Sequence, residues 1–203
     1  MITFNKELLN KTKPVVVACS GGMDSMMALA FLKKGGWDVS AAYFNHGTDH
    51  GAVAEKFLTQ YCRGKNINLL KGAILSDEGP RRKSQEEYWR DERYKFLDKI
   101  IGQIVTAHHL DDAVETWIFS SLNGCGKIIP VRRGPNISRP FLFTAKEDVK
   151  CWVQNNEVPF ISDPSNDDLK YMRNRIRKKI VPEALLVNPG LRTVVRKMYI
   201  SPF

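Results

Sequence analysis

A glycine-rich turn that directly follows an apolar run constrains the fold of this 203-residue chain more than any other feature. Residues 14–19 (PVVVAC) are continuously apolar, which is typical of a strand buried on both faces of a sheet. Ser20-Gly21-Gly22 comes next, and residues 24–34 then show helical spacing up to Gly35. A buried strand that passes through a tight turn into a helix indicates an α/β fold.

Short apolar runs and helical segments continue to alternate after this first unit. Further strands are predicted at residues 38–44, 67–74 and 104–107, and helices at 48–65, 83–101, 110–122 and 144–155. This alternation predicts a doubly wound, mainly parallel sheet with helices on both faces. Thr144, with Glu147 three positions on, matches a capping box for the last of these helices. We expect residues 1–182, with a basic segment at 163–179, to form the main domain, and residues 183–203 to be a short helical tail that completes a basic C-terminal extension.

The turn after the first strand has the chemistry of a phosphate cradle. Gly21 and Gly22 lack a Cβ atom, so backbone N–H groups can approach an anion closely, and the helix N-terminus adds partial positive charge. Asp24 would repel phosphate, so we expect it to face a magnesium ion or to cap the helix. The alternative is a turn that only joins a strand to a helix. The residues of this predicted phosphate cradle are Ser20, Gly21, Gly22, Met23, Asp24 and Ser25.

Polar motifs also follow the second and fourth predicted strands. They are Asn45-His46-Gly47 and His108-His109-Leu110-Asp111-Asp112. Ligands of a doubly wound sheet bind outside the carboxyl ends of its strands, so we expect these motifs to share one crevice with the turn. Asp112 and Glu115 lie three positions apart on a helix and can together hold an ammonium group or a magnesium ion. Helix capping together with one satisfied histidine is the alternative, and it could explain Asp111 or Asp112 alone. Zinc is disfavoured because the i, i+4 histidine pair of a zinc helix is missing.

The charge of the chain favours a polyanionic partner. The formal net charge is +9, and the excess is concentrated between residues 169 and 179. Six like charges repel one another without a counter-anion, so we expect RNA contact here rather than a solvated helix face. The six are Lys170, Arg173, Arg175, Arg177, Lys178 and Lys179. The sequence shows no apolar run of about 18 residues and no signal segment, which predicts a cytoplasmic protein without a membrane partner.

Several motifs resemble those of known nucleotide-dependent enzymes. The pattern S-G-G-x-D-S after an apolar strand resembles the PP-loop of the adenine-nucleotide alpha hydrolases, which split ATP between its α and β phosphates. It is not a Walker A loop, which requires G-x-x-x-x-G-K-[ST]. Further segments, within a likeness covering about residues 15–190, resemble the tRNA(Ile)-lysidine synthase family. These are 44–47 (FNHG), Glu87 with Arg90, Arg93 and Tyr94, 106–116 (TAHHLDDAVET), 163–166 (DPSN) and 173–177 (RNRIR).

The resemblance implies an activity in two steps. ATP, with Mg²⁺, would adenylate the C2 oxygen of the wobble cytidine in a tRNA(Ile) with the anticodon CAU, and free L-lysine would then displace AMP. The product is lysidine, which changes decoding from AUG to AUA. The implied catalytic residues are Asp24, His46, Arg90, Arg93, His108, Asp112 and Glu115. Asp24 would also hold Mg²⁺, and Asp112 and Glu115 would bind the lysine ammonium.

The resemblance also implies RNA contacts in the basic segment. The implied contacts are Arg173, Asn174, Arg175, Arg177 and Lys178. Surface pairing with Glu86 and Glu87 is the alternative to a catalytic role for Arg90 and Arg93.

The chain differs from the common bacterial members of that family, which carry further C-terminal domains that grip the tRNA body. It resembles a minimal form that would read mainly the anticodon stem-loop or recruit a second subunit. The sequence leaves the oligomeric state open, with a homodimer as one candidate.

Three competing functions can be weighed from the sequence. A 2-thiocytidine synthetase is disfavoured because the chain has no C-x-x-C pair. An amidotransferase or NAD synthetase with a small-molecule substrate is disfavoured by the basic segment at 169–179. A paralogue that binds tRNA without modifying it is disfavoured by the intact glycine turn.

Overall fold

A computed structural model describes residues 1–74 and 84–200 of the chain. Its centre is a six-stranded sheet of order β3-β2-β1-β4-β6-β5, parallel except for the antiparallel edge strand β5. The strands are β1 (Val15–Ala18), β2 (Val39–Asn45), β3 (Asn68–Ala73), β4 (Gln103–Thr106), β5 (Arg132–Arg133) and β6 (Ile137–Ser138). The predicted mainly parallel α/β sheet is therefore confirmed.

Helices connect the strands and continue beyond the sheet. The helices are α1 (Met23–Lys34), α2 (Asp49–Gly64), α3 (Gln85–Asp98), α4 (Leu110–Leu122), α5 (Lys146–Asn155), α6 (Met172–Arg175), α7 (Val181–Val187) and α8 (Leu191–Lys197). A π-helical turn, Ile176–Ile180, joins α6 to α7, and Pro164–Asp167 is a 3-10 turn. The predicted start of the third helix, at residue 83, lies outside the described residues. Within the part of the chain that the structure describes, no helix has both the length and the apolar character needed to cross a bilayer.

The central strand β1 explains why helices cover both faces of the sheet. Val15 and Val17 belong to the core on one face, which also contains buried side chains of α1 and α2. Val16 points the other way, into a second core with Tyr94 and Leu97 of α3. Successive side chains of a strand alternate between faces, so an all-apolar strand needs a cover on each side.

The C-terminal helices form a third core with α4. Leu191 and Val195 of α8 are buried in one cluster with Ala113 and Val114 of α4. The tail that the sequence predicted to be helical is therefore present and packed against α4. That helix also carries the acidic motif, so the tail supports one wall of the candidate site.

The capping box predicted for α5 is wrong. The helix begins at Lys146 with Ala145 as its N-cap, and no cap side chain accepts a hydrogen bond. The Oγ1 of Thr144 instead accepts from the N–H of Thr3 at 3.0 Å and donates to the Thr3 carbonyl at 2.8 Å. The N–H of Lys146 donates to Asp111 Oδ2 of α4 at 2.8 Å. The Asp111 carboxylate of α4 thus accepts from a first-turn N–H of α5, at a helix start where the sequence predicted a local side-chain cap.

Candidate active site

The three polar motifs converge on one crevice at the carboxyl edge of the sheet, as the sequence predicted. The crevice has a volume of about 420 Å³. Strands β1, β2 and β4 end side by side at this edge, because β1 pairs in parallel with both of the others. The site residues that line the crevice are Ser20, Gly22, Asp24, Ser25, His46, Arg93, His108 and Asp112. Asp163 and Asn166 of the DPSN segment line it as well.

Two glycines shape the turn between β1 and α1. Gly21 has a φ of +83°, a left-handed conformation that side chains rarely adopt, and a Cβ there would lie 3.2 Å from Ile161. The Gly21 carbonyl also accepts from the N–H of Ile161 at 3.0 Å. Gly22 is the N-cap of α1, and no cap side chain accepts from the first-turn N–H groups. Uncapped donors at a helix N-terminus suit an anion such as phosphate.

The two serines hold the turn closed. Ser25 Oγ donates to the Gly22 carbonyl at 2.9 Å and accepts from the Ser20 N–H at 3.1 Å. Ser25 is buried by these contacts, whereas Ser20 is exposed beside the crevice. Met23 packs against the core instead of lining the crevice. Two of the six residues of the predicted cradle therefore also have a structural role. Ser25 holds the turn together by hydrogen bonds, and Met23 packs the first turn of α1 against the core.

Asp24 is held by two partners, Lys146 and His109, whose contacts with it the sequence did not reveal. Its carboxylate forms an ion pair with the Lys146 ammonium and lies 3.6 Å from His109 Nε2. Burial opposes ionisation, but hydrogen bonding to His109 and the charges of His109 and Lys146 outweigh it, so the pKa of Asp24 lies well below its usual range. Asp24 is therefore ionised at any pH at which the protein would work.

The donor set fits a magnesium ion shared with a phosphate. Magnesium is usually held by one or two carboxylates together with substrate phosphates, and the Asp24 carboxylate lines the crevice next to the turn. Over residues 1–74 and 84–200, no group of three or more His, Cys, Asp or Glu side chains could hold a metal by itself. For a magnesium ion to bind Asp24, the Lys146 ammonium would have to share one Asp24 oxygen with the ion or release that oxygen.

His109 closes a capping box at the start of α4. Its Nδ1 accepts from the Asp112 N–H at 3.3 Å, and Asp112 Oδ2 accepts from the His109 N–H at 2.9 Å. Burial would lower the pKa of His109, but the charges of Asp112 and Asp24 raise it above the ordinary value. Helix capping, the alternative weighed for Asp112, is thus present, and the same residue still lines the crevice. In the sequence, the only indication that His109 is a capping residue was its position directly before the predicted helix.

His46 and His108 are neutral in this site. Burial, with the charge of Arg93, lowers the pKa of His46 to about 4. Burial also lowers the pKa of His108 to about 4, against the opposing charge of Asp112. His108 Nδ1 lies 2.9 Å from Thr106 Oγ1, and the His46 ring packs on Trp89 with centroids 5.4 Å apart. Neutral imidazoles can each donate one hydrogen bond and accept another.

The arginines of α3 surround Tyr94. Arg93 lines the crevice, whereas Arg90 is exposed, and their guanidinium carbons lie 5.6 and 5.8 Å from the Tyr94 ring centre. The buried Arg139 donates to the Tyr94 hydroxyl at 3.2 Å and to the Pro130 carbonyl at 2.7 Å. Arg139 follows no motif, so the sequence did not point to it.

The acidic pair predicted to bind an ammonium group already holds a guanidinium. Arg177 Nε and Nη2 donate to Glu115 at 2.6 and 2.9 Å, and Nη2 lies 3.6 Å from Asp112. Burial raises the pKa of Glu115 although Arg177 opposes the shift. Arg177 was predicted to contact RNA, but in this structure it binds the carboxylates predicted for lysine. The two carboxylates thus hold a cationic side chain of the protein itself, and their binding of a lysine ammonium stays a prediction.

The remaining basic side chains of 169–179 are only partly free. Lys178 forms an ion pair with Asp167, and Lys170 lies 2.8 Å from Asp168. Asn174 donates to the carbonyls of Ser165 and Asp168 at 2.8 and 3.0 Å. Arg173 packs over the Phe119 ring, and Arg175 is exposed. Carboxylates of the protein thus neutralise part of this basic segment. The mutual repulsion of its charges is therefore a weaker reason to expect RNA there than the sequence suggested.

Comparison with known proteins agrees with this geometry. A family model described as PP-loop domain matches residues 2–184. This chain belongs to the PP-loop family. Among curated PP-loop relatives it is 34% identical to the tRNA(Ile)-lysidine synthase of Pseudothermotoga lettingae, over 92% of this chain and 45% of that protein. For the enzymes of the same name from Staphylococcus aureus and Francisella philomiragia, the identities are 34% and 30%, over 83% and 90% of this chain and 43% and 48% of theirs.

The PP-loop chain therefore spans about half the length of the curated relatives it matches. Among solved structures it resembles a U34-tRNA thiolase from Methanococcus maripaludis, with a TM-score of 0.79 at 15% identity over 97% of this chain and 74% of the other. It also resembles an NH3-dependent NAD synthetase from Campylobacter jejuni, with a TM-score of 0.51 at 14% identity over 95% and 87%. At these identities the likeness shows a shared PP-loop fold.

Proposed function

We propose that this PP-loop protein uses ATP and Mg²⁺ to join free L-lysine to the wobble cytidine of a tRNA(Ile) with the anticodon CAU. One observation carries the proposal: the glycine turn and Asp112 line the same crevice, and one guanidinium, that of Arg177, contacts both Asp112 and the neighbouring Glu115. A phosphate cradle and an ammonium site are what a ligase needs to bring a nucleotide and an amine together. Similarity to tRNA(Ile)-lysidine synthases over most of this chain supports the choice of substrates.

In the first step, the cytidine C2 oxygen attacks the α-phosphate of ATP and pyrophosphate leaves. The uncapped N–H groups at the start of α1 would hold the triphosphate, and Arg93 would stabilise charge that develops on it. His46 and His108 would act as neutral hydrogen-bonding groups beside the reacting atoms. Asp24 would hold Mg²⁺, which supplies charge neutralisation on the phosphates.

In the second step, the lysine ε-amine attacks C2 and AMP leaves. An alkyl ammonium has a pKa of about 10.4, so a base must remove a proton before the nitrogen can attack. Glu115 is the better candidate for this base, because burial raises its pKa and so strengthens it as a proton acceptor. Asp112 would hold the ammonium in place. The Arg177 guanidinium would have to turn away from both carboxylates first.

RNA binding is assigned to the basic segment together with the DPSN turn. Arg175 is exposed and Arg173 lies on the surface over Phe119, so both can reach a phosphate backbone. Asn174 would act by fixing the turn at Ser165–Asp168 beside the crevice. Lys178 and Arg177 would contribute once they leave their carboxylate partners.

Lysine incorporation tests the proposal directly. The protein is incubated with ATP, Mg²⁺, radiolabelled L-lysine and a tRNA(Ile) transcript with the anticodon CAU, and label in the RNA is measured after acid precipitation. A transcript in which only the wobble cytidine is changed to uridine is the matched control and should stay unlabelled. An unlabelled CAU transcript, together with pyrophosphate release on another substrate, would refute the assignment.

A further inference from the structure

Lys146 reaches the glycine turn from a distant part of the chain. Its ammonium forms an ion pair with Asp24, a residue 122 positions earlier that lines the crevice. The turn itself, residues 20–25, contains no lysine or arginine. A loop that holds a triphosphate commonly works with a cationic side chain, which supplies charge that backbone N–H groups provide only in part. Lys146 is the lysine that contacts the carboxylate of this turn, on the oxygen opposite the one that His109 approaches.

Two contacts determine where Lys146 stands. Its backbone N–H donates to Asp111 Oδ2 at 2.8 Å, which joins the start of α5 to α4. The other oxygen of Asp111 accepts from Arg192 Nε and Nη2 of α8 at 2.9 and 2.6 Å. Asp111 is buried, whereas Arg192 is partly exposed and lies 3.3 Å from Glu147 as well. The start of α5 is thereby fixed beside the turn.

The side chain of Lys146 is free to move while its backbone is fixed. The Lys146 side chain is 27% exposed, and a flexible four-carbon chain links its ammonium to the Cα atom. Asp24 also keeps a second partner, His109, on its other oxygen. Asp24 would therefore remain neutralised on one side if the ammonium moved by a few ångströms toward the crevice.

We propose that Lys146 is a phosphate ligand of the nucleotide site, held on Asp24 in this structure and transferred to the triphosphate when Mg²⁺ binds Asp24. The ammonium and the metal ion compete for the same carboxylate oxygen. With Mg²⁺ on that oxygen, the displaced Lys146 ammonium would be released to contact the triphosphate bound beside Asp24. This inference rests on the proposed use of ATP, but it requires neither lysine nor tRNA.

Two binding measurements on the full chain test it. Binding of Mn²⁺ alone is followed by electron paramagnetic resonance, and binding of a non-hydrolysable ATP analogue with Mg²⁺ is followed by calorimetry. Lys146→Gln should bind Mn²⁺ several-fold more tightly, because the competing ammonium is gone. The same variant should bind the Mg²⁺–nucleotide about tenfold to a hundredfold more weakly, because a charge-assisted contact to phosphate is lost. Lys150→Gln, one turn further along α5 and exposed, should leave both constants unchanged.

Lys146→Arg distinguishes the role of the charge from that of the fold. It keeps the cation and should retain nucleotide affinity to within about threefold of the parent. Nucleotide affinity that is unchanged in Lys146→Gln, or lost equally in Lys146→Gln and Lys146→Arg, would overturn the proposal. Because neither measurement uses lysine or RNA, these outcomes are independent of the labelling assay, which alone decides the proposed function.

Discussion

The guanidinium of Arg177 forms a bidentate ion pair with the carboxylate of Glu115, with N–O distances of 2.6 and 2.9 Å. The Glu115 side chain is 6% exposed, whereas that of Arg177 is 46% exposed. The arginine can therefore reach water when it leaves, but the carboxylate cannot. Because only the arginine can be solvated once the pair separates, substitutions at Arg177 and Glu115 test both the stability of the protein and the proposed lysine site.

Replacing Arg177 with glutamine should destabilise the protein. The change leaves a buried carboxylate without its cation, for which we expect a loss of about 2 kcal/mol in the free energy of unfolding, less than for a fully buried pair. Urea denaturation at pH 7.5 measures it. Arg175→Gln, two residues away and exposed, should change stability by less than about 0.5 kcal/mol. Adding Glu115→Gln to Arg177→Gln should recover part of the loss; additive losses would show that the two side chains do not interact.

Stability should fall as the pH is lowered from about 6.5 toward 4. His46 and His108 have folded pKa values of about 4, below the ordinary value of 6.5, so the unfolded chain takes up protons first in this window. Their contribution is complete above pH 6.5 and is lost as the pH falls, at up to about 1.4 kcal/mol for each unit of pKa shift. Urea midpoints at pH 7 and pH 4.5 measure it. His108→Asn should make the dependence shallower, and an unchanged slope would contradict the neutral state of His108.

Gly21→Ala should impair nucleotide binding as well as stability. The new methyl group would be strained by the φ of +83° and would lie 3.2 Å from Ile161, so the turn has to shift. Gly36→Ala is the matched control, since its φ is +72° but nothing lies within 4 Å of the added atom. Both variants should lose about 1 kcal/mol of stability, and only Gly21→Ala should weaken binding of the ATP analogue. Equal nucleotide affinities would show that the turn does not contact the ligand.

Asp24→Ala should abolish lysine transfer without unfolding the protein. It removes the carboxylate assigned to Mg²⁺, for which we expect a loss of at least about a hundredfold in rate. Lys146 loses its partner but is 27% exposed and can be solvated, so the thermal midpoint should fall by only a few degrees. The labelling assay and a thermal melt together measure this. Turnover close to that of the parent would show that the turn is only structural.

The sequence predicted the sheet and the position of the site because both follow from local patterns. The apolar run over β1 requires burial on both faces, and parallel strands bring the polar residues that follow them to one edge. Asp24, His46 and His108 could therefore be placed together before any coordinates were known. Asp112 and Glu115 were grouped by their helical spacing.

The partners of these residues could not be predicted, because they come from distant parts of the chain. Lys146 is 122 positions from Asp24, Arg192 is 81 from Asp111, and Arg177 is 62 from Glu115. No local periodicity encodes such pairs. Thr144 shows the converse. The local pattern predicted that its side chain caps α5, but that side chain forms hydrogen bonds with the backbone of Thr3, 141 positions away.

The contact between Arg192 and Asp111 joins α8, the last described helix, to the start of α5 beside the proposed nucleotide site. A protease that cut between α7 and α8 would leave every crevice-lining side chain in place. If α8 then dissociated, Asp111 would lose the Arg192 guanidinium, and the carboxylate that accepts from the Lys146 N–H would be held less firmly. Loss of α8 should therefore be measurable as weaker binding of the ATP analogue, although no residue of α8 lines the crevice.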